Sequence, residues 1–361
     1  MLQVFVSSIQ SGFEDVREAV RRAVESLDMR PLMAELAGAH AESPQRALLD
    51  LVARADVFLL IVGARYSRPT EDEFTEANRL GRPILVVRQN GELEPEQAAF
   101  LERVAAGWSG GRLWGTFDGA GEVSMAAVKA LTNVQGKRTD LAAAAQTRAE
   151  TLATAKGGGR SGSIARIAFA PLVSAPLLDA VALDRPGLAD TVADLVRRRR
   201  LVDHSVGIKT SVTRDGIAIA PAGPYANAAP IVSVGADGAV VCEVEVGGSG
   251  HFGSSLVDAD QLAVGIAAAG ALVLEIWERL DEREEVQQIA VAVAIPEAQH
   301  KVFGTPSNPN SLSMGWGMPP IVVVPQPPVI IRRGEVTADG LSKRLVAEVK
   351  RAFADAGALA Q

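Results

Sequence analysis

Through the first 133 residues, short apolar runs alternate with amphipathic stretches of helical period. The runs "QVFV" (3–6), "MRPLM" (29–33), "DVFLLIV" (56–62), "PILVV" (83–87) and "RLWGTF" (112–117) predict strands. Stretches near 13–26, 44–54, 71–80, 95–106 and 121–132 predict helices between them. Ser43-Pro44 suits a helix start, with Ser as N-cap and Pro at the first helical position. The third run is continuously apolar, as a central parallel strand covered on both faces must be. Five alternating units with short connections predict an α/β fold, a five-stranded doubly wound parallel sheet.

The pattern then changes. "KRTDLAAAAQTRAETLATAK" is alanine-rich and helical in character, and "GGGRSGS" reads as a hinge, so residues 134–163 are expected to form a linker. Beyond 164, one helix (176–199) is predicted ahead of strands near 206–213, 217–220, 231–235 and 239–246. Asp215-Gly216 and Asp237-Gly238 signal hairpin turns. A long helix (258–283), strands at 288–295 and 321–331, and a terminal helix (338–356) complete a separate α+β domain with antiparallel strands, 164–361.

Composition narrows the function classes. The chain is 48% apolar and 22% charged, which is globular, and its net charge of −7 argues against a general nucleic-acid binder. The single cysteine, Cys242, excludes a disulfide framework, and the four scattered histidines have no metal-ligand spacing, so no metal and no resident cofactor are expected. "MLQVFVSSIQ" lacks a signal-peptide pattern, and the apolar run 262–277 carries Glu275 and is short for a membrane span. The expectation is a cytoplasmic protein with no membrane segment.

In a doubly wound sheet of order 2-1-3-4-5, ligands bind outside the carboxyl ends of the first and third strands. The loops there are "SSIQSG" (7–12) and "GARYSRPT" (63–70), the second leading into a helix whose start carries Glu71, Asp72, Glu73 and Glu76. At about 100° per residue, Phe74, Ala77 and Leu80 define that helix's apolar stripe, and of the four acids only Glu73 falls within it. Thr70-x-x-Glu73 also matches a capping box, so Glu73 is open to three roles: catalyst, cap or ligand contact. Ser7 and Ser8 can meet phosphate or ribose, or form a helix-capping turn. Tyr66 can stack on a ring or cover the sheet edge. Arg65 and Arg68 suit phosphates or solvent, and Gly63 a close ligand approach or a tight turn.

"VFVSSIQSGFEDVREAV", "MAE", "ADVFLLIVGARYS" and "TEDEFTEANRLGRPILV" together resemble the DUF4062 domain, a TIR-like family of bacterial proteins, over about residues 2–133. The wider group contains TIR domains and nucleoside deoxyribosyltransferases, which cut N-glycosidic bonds with a glutamate on the helix after the third strand. The spacing of Glu73 to Ala77 and Gly81-Arg82-Pro83 is similar to theirs, so the resemblance assigns Glu73 the catalytic role. It implies a flavodoxin/TIR-like fold, NAD or a related nucleotide as substrate, and a place in antiphage or stress signalling. Glu35, in the matching "MAE", becomes a second acidic group of the site. The loop between Tyr66 and Thr70 is short, and no tryptophan or cysteine precedes the glutamate as in many TIR enzymes. A non-enzymatic nucleotide- or protein-binding scaffold is the rival reading.

The second half offers weaker signals. "GSGHFG" (248–253) has the spacing of a dinucleotide loop but no helix opening at its glycines, so a flexible loop is expected. "RRRR" (197–200) suits a helix C-terminus, or the binding of a phosphate or nucleotide messenger. Trp316, between Met314 and Met318 in a long loop, suits a protein partner or a homo-oligomer contact, which would make this domain a sensor or assembly module, or equally a fold-back over the core.

Overall fold

The computed structural model describes residues 2–36, 38, 43–105, 114–155, 163–173, 175–183, 185–199, 201, 207–222, 231–247, 255–281, 285–304, 319–337 and 339–359. The chain divides into two compact units, Met1–Arg138 and Thr139–Gln361.

The first unit runs β1 (Gln3–Ser7), α1 (Glu14–Ser26), β2 (Arg30–Leu32), α2 (Pro44–Arg54), β3 (Val57–Val62), α3 (Arg68–Arg79), β4 (Ile84–Gln89), α4 (Pro95–Ala105), β5 (Trp114–Phe117) and the start of α5 (Ala120–Thr154). The strand order is β2-β1-β3-β4-β5 and every pairing is parallel. Alternation along β3 splits the core into two faces, as the strand's period of two requires. Val57, Leu59 and Ile61 pack with Val16, Val20 and Val24 of α1 and Val123, Ala127 and Leu131 of α5. Phe58, Leu60 and Val62 pack with Leu51 and Val52 of α2, Ala77 of α3 and Phe100 of α4. Helices therefore cover both faces, and strand order reverses between β1 and β3.

The second unit contains β6 (Ile164–Pro171), α6 (Ala180–Leu183), α7 (Leu188–Arg198), β7 (Ile208–Thr213), β8 (Gly216–Pro221), β9 (Val232–Gly235), β10 (Val240–Glu245), β11 (Ser255–Val257), α8 (Ala259–Leu280), β12 (Gln288–Pro296), β13 (Lys301–Phe303), β14 (Ile321–Arg332) and α9 (Asp339–Asp355). Seven of these strands form an antiparallel sheet, β14-β12-β6-β10-β9-β8-β7. Along β12, Ile289, Val291, Val293 and Ile295 join a core with α7, α8 and α9. Ala290, Ala292 and Ala294 face the other way, against Ala145, Ala149 and Ala153 of α5. Small side chains on both partners let the helix lie close to the sheet.

The structure departs from the sequence expectations in several places: α3 begins at Arg68 rather than near 71, and the short parallel pair β11–β13 was not expected. β6, an interior strand of the second sheet between β12 and β10, was not foreseen: "IARIAFAP" is buried on both faces, so it lacks alternation, and its alanines carry no strand signal. The helix expected over 176–199 is two helices, because Pro186 cannot continue α6 and Gly187, at φ +79°, caps α7. The last helix of the first unit and the alanine-rich stretch are one 35-residue helix, α5. The remainder of the expected hinge lies mostly outside the described residues, as does "GSGHFG". Among the described residues α8 alone is long and apolar enough to cross a membrane. Its Leu262, Ile266, Leu272, Val273 and Trp277 are wholly buried in the second unit's core, where a water-excluding environment is already supplied by protein.

Candidate active site

The site grows from the β1 carboxyl end and the start of α3. Ser67 takes an extended conformation, and its hydroxyl accepts the Thr70 N–H at 3.5 Å, with Pro69 in the first turn. The helix thus begins at Arg68, ahead of the position a Thr70 N-cap would need. Glu73 then lies more than a turn inside the helix, and the Thr70–Glu73 capping box does not form. Thr70, Glu73 and Ala77 make the buried face of α3, the i, i+3, i+7 spacing of one stripe.

Ser7, the last residue of β1, donates its hydroxyl to Glu73 Oε2 at 2.5 Å. Both groups are buried, Glu73 at 8% exposure and Ser7 at 1%. Burial raises the Glu73 carboxyl to about 7, against the lowering effects of the Ser7 hydrogen bond and the Arg17 charge. A carboxyl there exchanges its proton at neutral pH. The other three acids of the stretch point outward into ion pairs: Glu71 with Arg103 at 2.7 Å, Asp72 with Arg68 at 2.9 Å and Glu76 with Arg79 at 2.7 Å.

Arg17 is the residue that the sequence reading missed. It sits on α1 in the apolar phase of Phe13, Val20 and Val24, and is 5% exposed. A charge inside an apolar stripe is the signal that marked it. Its Nη1 donates to the Ser8 hydroxyl at 2.6 Å and to the Ser8 carbonyl at 3.4 Å. Its Nε and Nη2 grip Glu35 at 2.9 and 2.5 Å. Adjacent residues of one strand end therefore serve two charges, Ser7 for Glu73 and Ser8 for Arg17.

A cleft of about 450 Å³ opens here, lined by Ser8, Arg17, Arg65, Tyr66, Thr70 and Glu73 among others. Tyr66 stands at its rim, its hydroxyl on Glu71 at 2.5 Å and its ring edge-on to Phe100 at 6.5 Å. Arg65 reaches back to the Ser11 carbonyl at 2.6 Å. Gly63 is not among the residues that line the cleft; a Cβ there would come 2.4 Å from Phe13 Cζ, so the glycine makes room for that ring. Glu35 lines a neighbouring hollow of about 560 Å³ that shares Gln10, Ser11 and Arg17 with the first. Ser7, Ser8, Glu35, Arg65, Tyr66 and Glu73 are thus brought together around the β1–β3 crevice. Met314, Trp316 and Met318 lie outside the described residues. In the second unit, Arg197 pairs with Asp194 and Arg199 with Glu275 near the end of α7. Among the described residues no cluster of three or more His, Cys, Asp or Glu side chains is arranged to hold a metal ion.

No curated protein matches the chain. Among solved structures, the CMP N-glycosidase BcmB of Clostridium botulinum aligns with 34% of this chain and 94% of its own, at 17% identity and a TM-score of 0.28. The TIR domains of the activated Roq1 resistosome, which directly recognises the pathogen effector XopQ, align with 36% of this chain and 82% of their own, at 13% identity and a TM-score of 0.25. Residues 3–110 match the family model described as a domain of unknown function, DUF4062, and the rest of the chain matches none.

Proposed function

We propose that the first unit binds a nucleotide in the β1–β3 cleft and hydrolyses its N-glycosidic bond, with Glu73 at the anomeric carbon. The observation that carries this is the buried Glu73 carboxyl, held by Ser7 and facing a cleft large enough for a nucleoside unit. As the bond between C1′ and the base nitrogen breaks, its electron pair leaves with the base and positive charge develops on the sugar. A carboxylate beside C1′ or the 2′-hydroxyl stabilises that charge, or bonds C1′ transiently. Water then supplies the hydroxyl at C1′, and its proton ends on the departing base. Burial favours this chemistry, because an ionised group in a water-poor cleft acts on a nearby cation with little screening.

In this reading Tyr66 at the rim faces the base, and Arg65 and Arg17, which line the same cleft, meet phosphate. The bacterial TIR-like resemblance adds NAD or a related nucleotide as the substrate class, and gives the second unit a sensing or assembly role. The test is to incubate the full chain with NAD and a panel of nucleotides and follow nicotinamide or free base by chromatography. Release that is lost in Glu73→Gln supports the reading. Nucleotide binding with no release under any condition would make the cleft a binding module instead.

A further inference from the structure

The Arg17–Glu35 pair is asymmetric in a way that a purely structural ion pair does not need. The Arg17 side chain is 6% exposed, whereas that of Glu35 is 45% exposed. Arg17 is anchored by Ser8 on one side, and its remaining fork holds both carboxylate oxygens of Glu35. That two-pronged grip is the geometry by which a guanidinium also holds a phosphate. Arg17 lines both hollows, together with Gln10 and Ser11, and Glu35 lines the second.

The two members of the pair stand to lose different amounts on separation. A buried guanidinium left without an anion is strongly disfavoured, because water cannot replace the lost partner. A half-exposed carboxylate on a short 3-10 turn, Ala34–Leu36, returns to water at little cost. Separation is therefore favourable only when another anion takes the fork. Glu73 is not that anion, because it faces the same arginine from α3 and is held by Ser7. The adjacency of Ser7 and Ser8 sets the fork beside the proposed reaction centre.

We propose that Arg17 is the phosphate receptor of the cleft, that Glu35 occupies its fork in the free protein as a built-in competitor, and that a nucleotide phosphate displaces Glu35 on binding. This rests on the reading that the cleft takes a nucleotide, and it narrows the ligand to phosphorylated forms over nucleosides. It also gives Glu35 a role distinct from chemistry: it lowers apparent affinity by the fraction of protein in which the fork is closed.

The test is calorimetric titration of the full chain with each of the four ribonucleoside 5′-monophosphates beside its nucleoside. The monophosphates are expected to bind more tightly than the nucleosides. Glu35→Gln should tighten monophosphate binding by on the order of tenfold while leaving nucleoside binding unchanged. Arg17→Lys should erase the preference, since a point charge cannot replace the fork. A base-independent arm uses inorganic phosphate alone, which should raise the melting temperature of Glu35→Gln more than that of the native chain. If Glu35→Gln does not fold, Glu35→Asp, with a shorter arm, takes its place and the same tightening is expected.

Weaker monophosphate binding in the variant, equal effects on nucleosides, or no differential phosphate stabilisation would overturn the proposal. So would the absence of any monophosphate binding. Because every readout is binding, a protein that never releases base can still show the exchange. Failure of the hydrolysis and failure of this inference are therefore told apart.

Discussion

At Glu73 the proton of one buried carboxyl bears on stability and on the proposed chemistry. Its carboxyl sits near 7 in the folded protein against an ordinary 4.5. Between those values the folded state holds a proton that the unfolded chain has released. Stability from this group therefore falls as pH rises from about 4.5 to about 7, and is level above. At about 1.4 kcal/mol per pH unit over this window the loss comes to about 3–4 kcal/mol. Glu73→Gln should remove it, so the variant's advantage in urea midpoints over the native chain should grow with pH across this window. The proposed chemistry uses the ionised form, so base release should climb with pH and level off above about 7. Ser7→Ala removes a hydrogen bond that favours the carboxylate, and should move that inflection to higher pH. An inflection unmoved by Ser7→Ala would separate Glu73 from the rate.

At the scale of elements, the site depends on where α3 begins and on how closely α1 approaches β3. The Ser67 cap sets the start of the helix, and the helical period then turns Glu73 toward β1. Ser67→Ala should cost about 1 kcal/mol, read as a lower melting temperature. Gly63, just past β3, lets the Phe13 ring ahead of α1 pack against the strand end. Gly63→Ala puts a Cβ 2.4 Å from that ring and should destabilise by about 1–3 kcal/mol. Phe13→Leu in the same chain should recover part of the loss, and an equal penalty with either residue at 13 would show that the contact is not the cause. Legibility in the sequence followed element type. α2 was expected at 44–54 and is found there, because Ser43-Pro44 marks its start chemically. α3 starts earlier than the apolar pattern implied, because Ser67 and Pro69 precede the first periodic residue. β6 was hidden because a strand covered on both faces has no alternation to read.

The whole chain carries two units with different sheet chemistry, one parallel and one antiparallel. In the second, Arg166 on β6 and Glu243 on β10 form a buried cross-strand pair at 2.7 Å, and Arg166 also donates to the Ala153 and Ala155 carbonyls at the end of α5. One guanidinium thus ties two central strands to the helix that covers them. Arg166→Met would strand a buried carboxylate and should cost about 3–5 kcal/mol. Arg166→Met with Glu243→Leu should recover most of that in thermal unfolding, because no buried charge is then left alone. Additive losses in the double variant would mean that the two residues act separately.

Periodicity and turn signals along the chain were enough to read the alternating strands and helices of the first unit, the antiparallel hairpins of the second and Glu73 as the inward-facing acid among four neighbours. Each follows from local periodicity and turn chemistry, which are properties of a few consecutive residues. The strand order, the Ser7–Glu73 bond, the bridge of Arg17 from Ser8 to Glu35 and the interior place of β6 in the second sheet came from the folded chain. Ser7 and Glu73 are 66 positions apart in the chain, and Arg17 and Glu35 are 18 apart. Contacts at such separations follow from how strands and helices stack, and burial, which sets the proton affinity of Glu73, exists only once they have stacked.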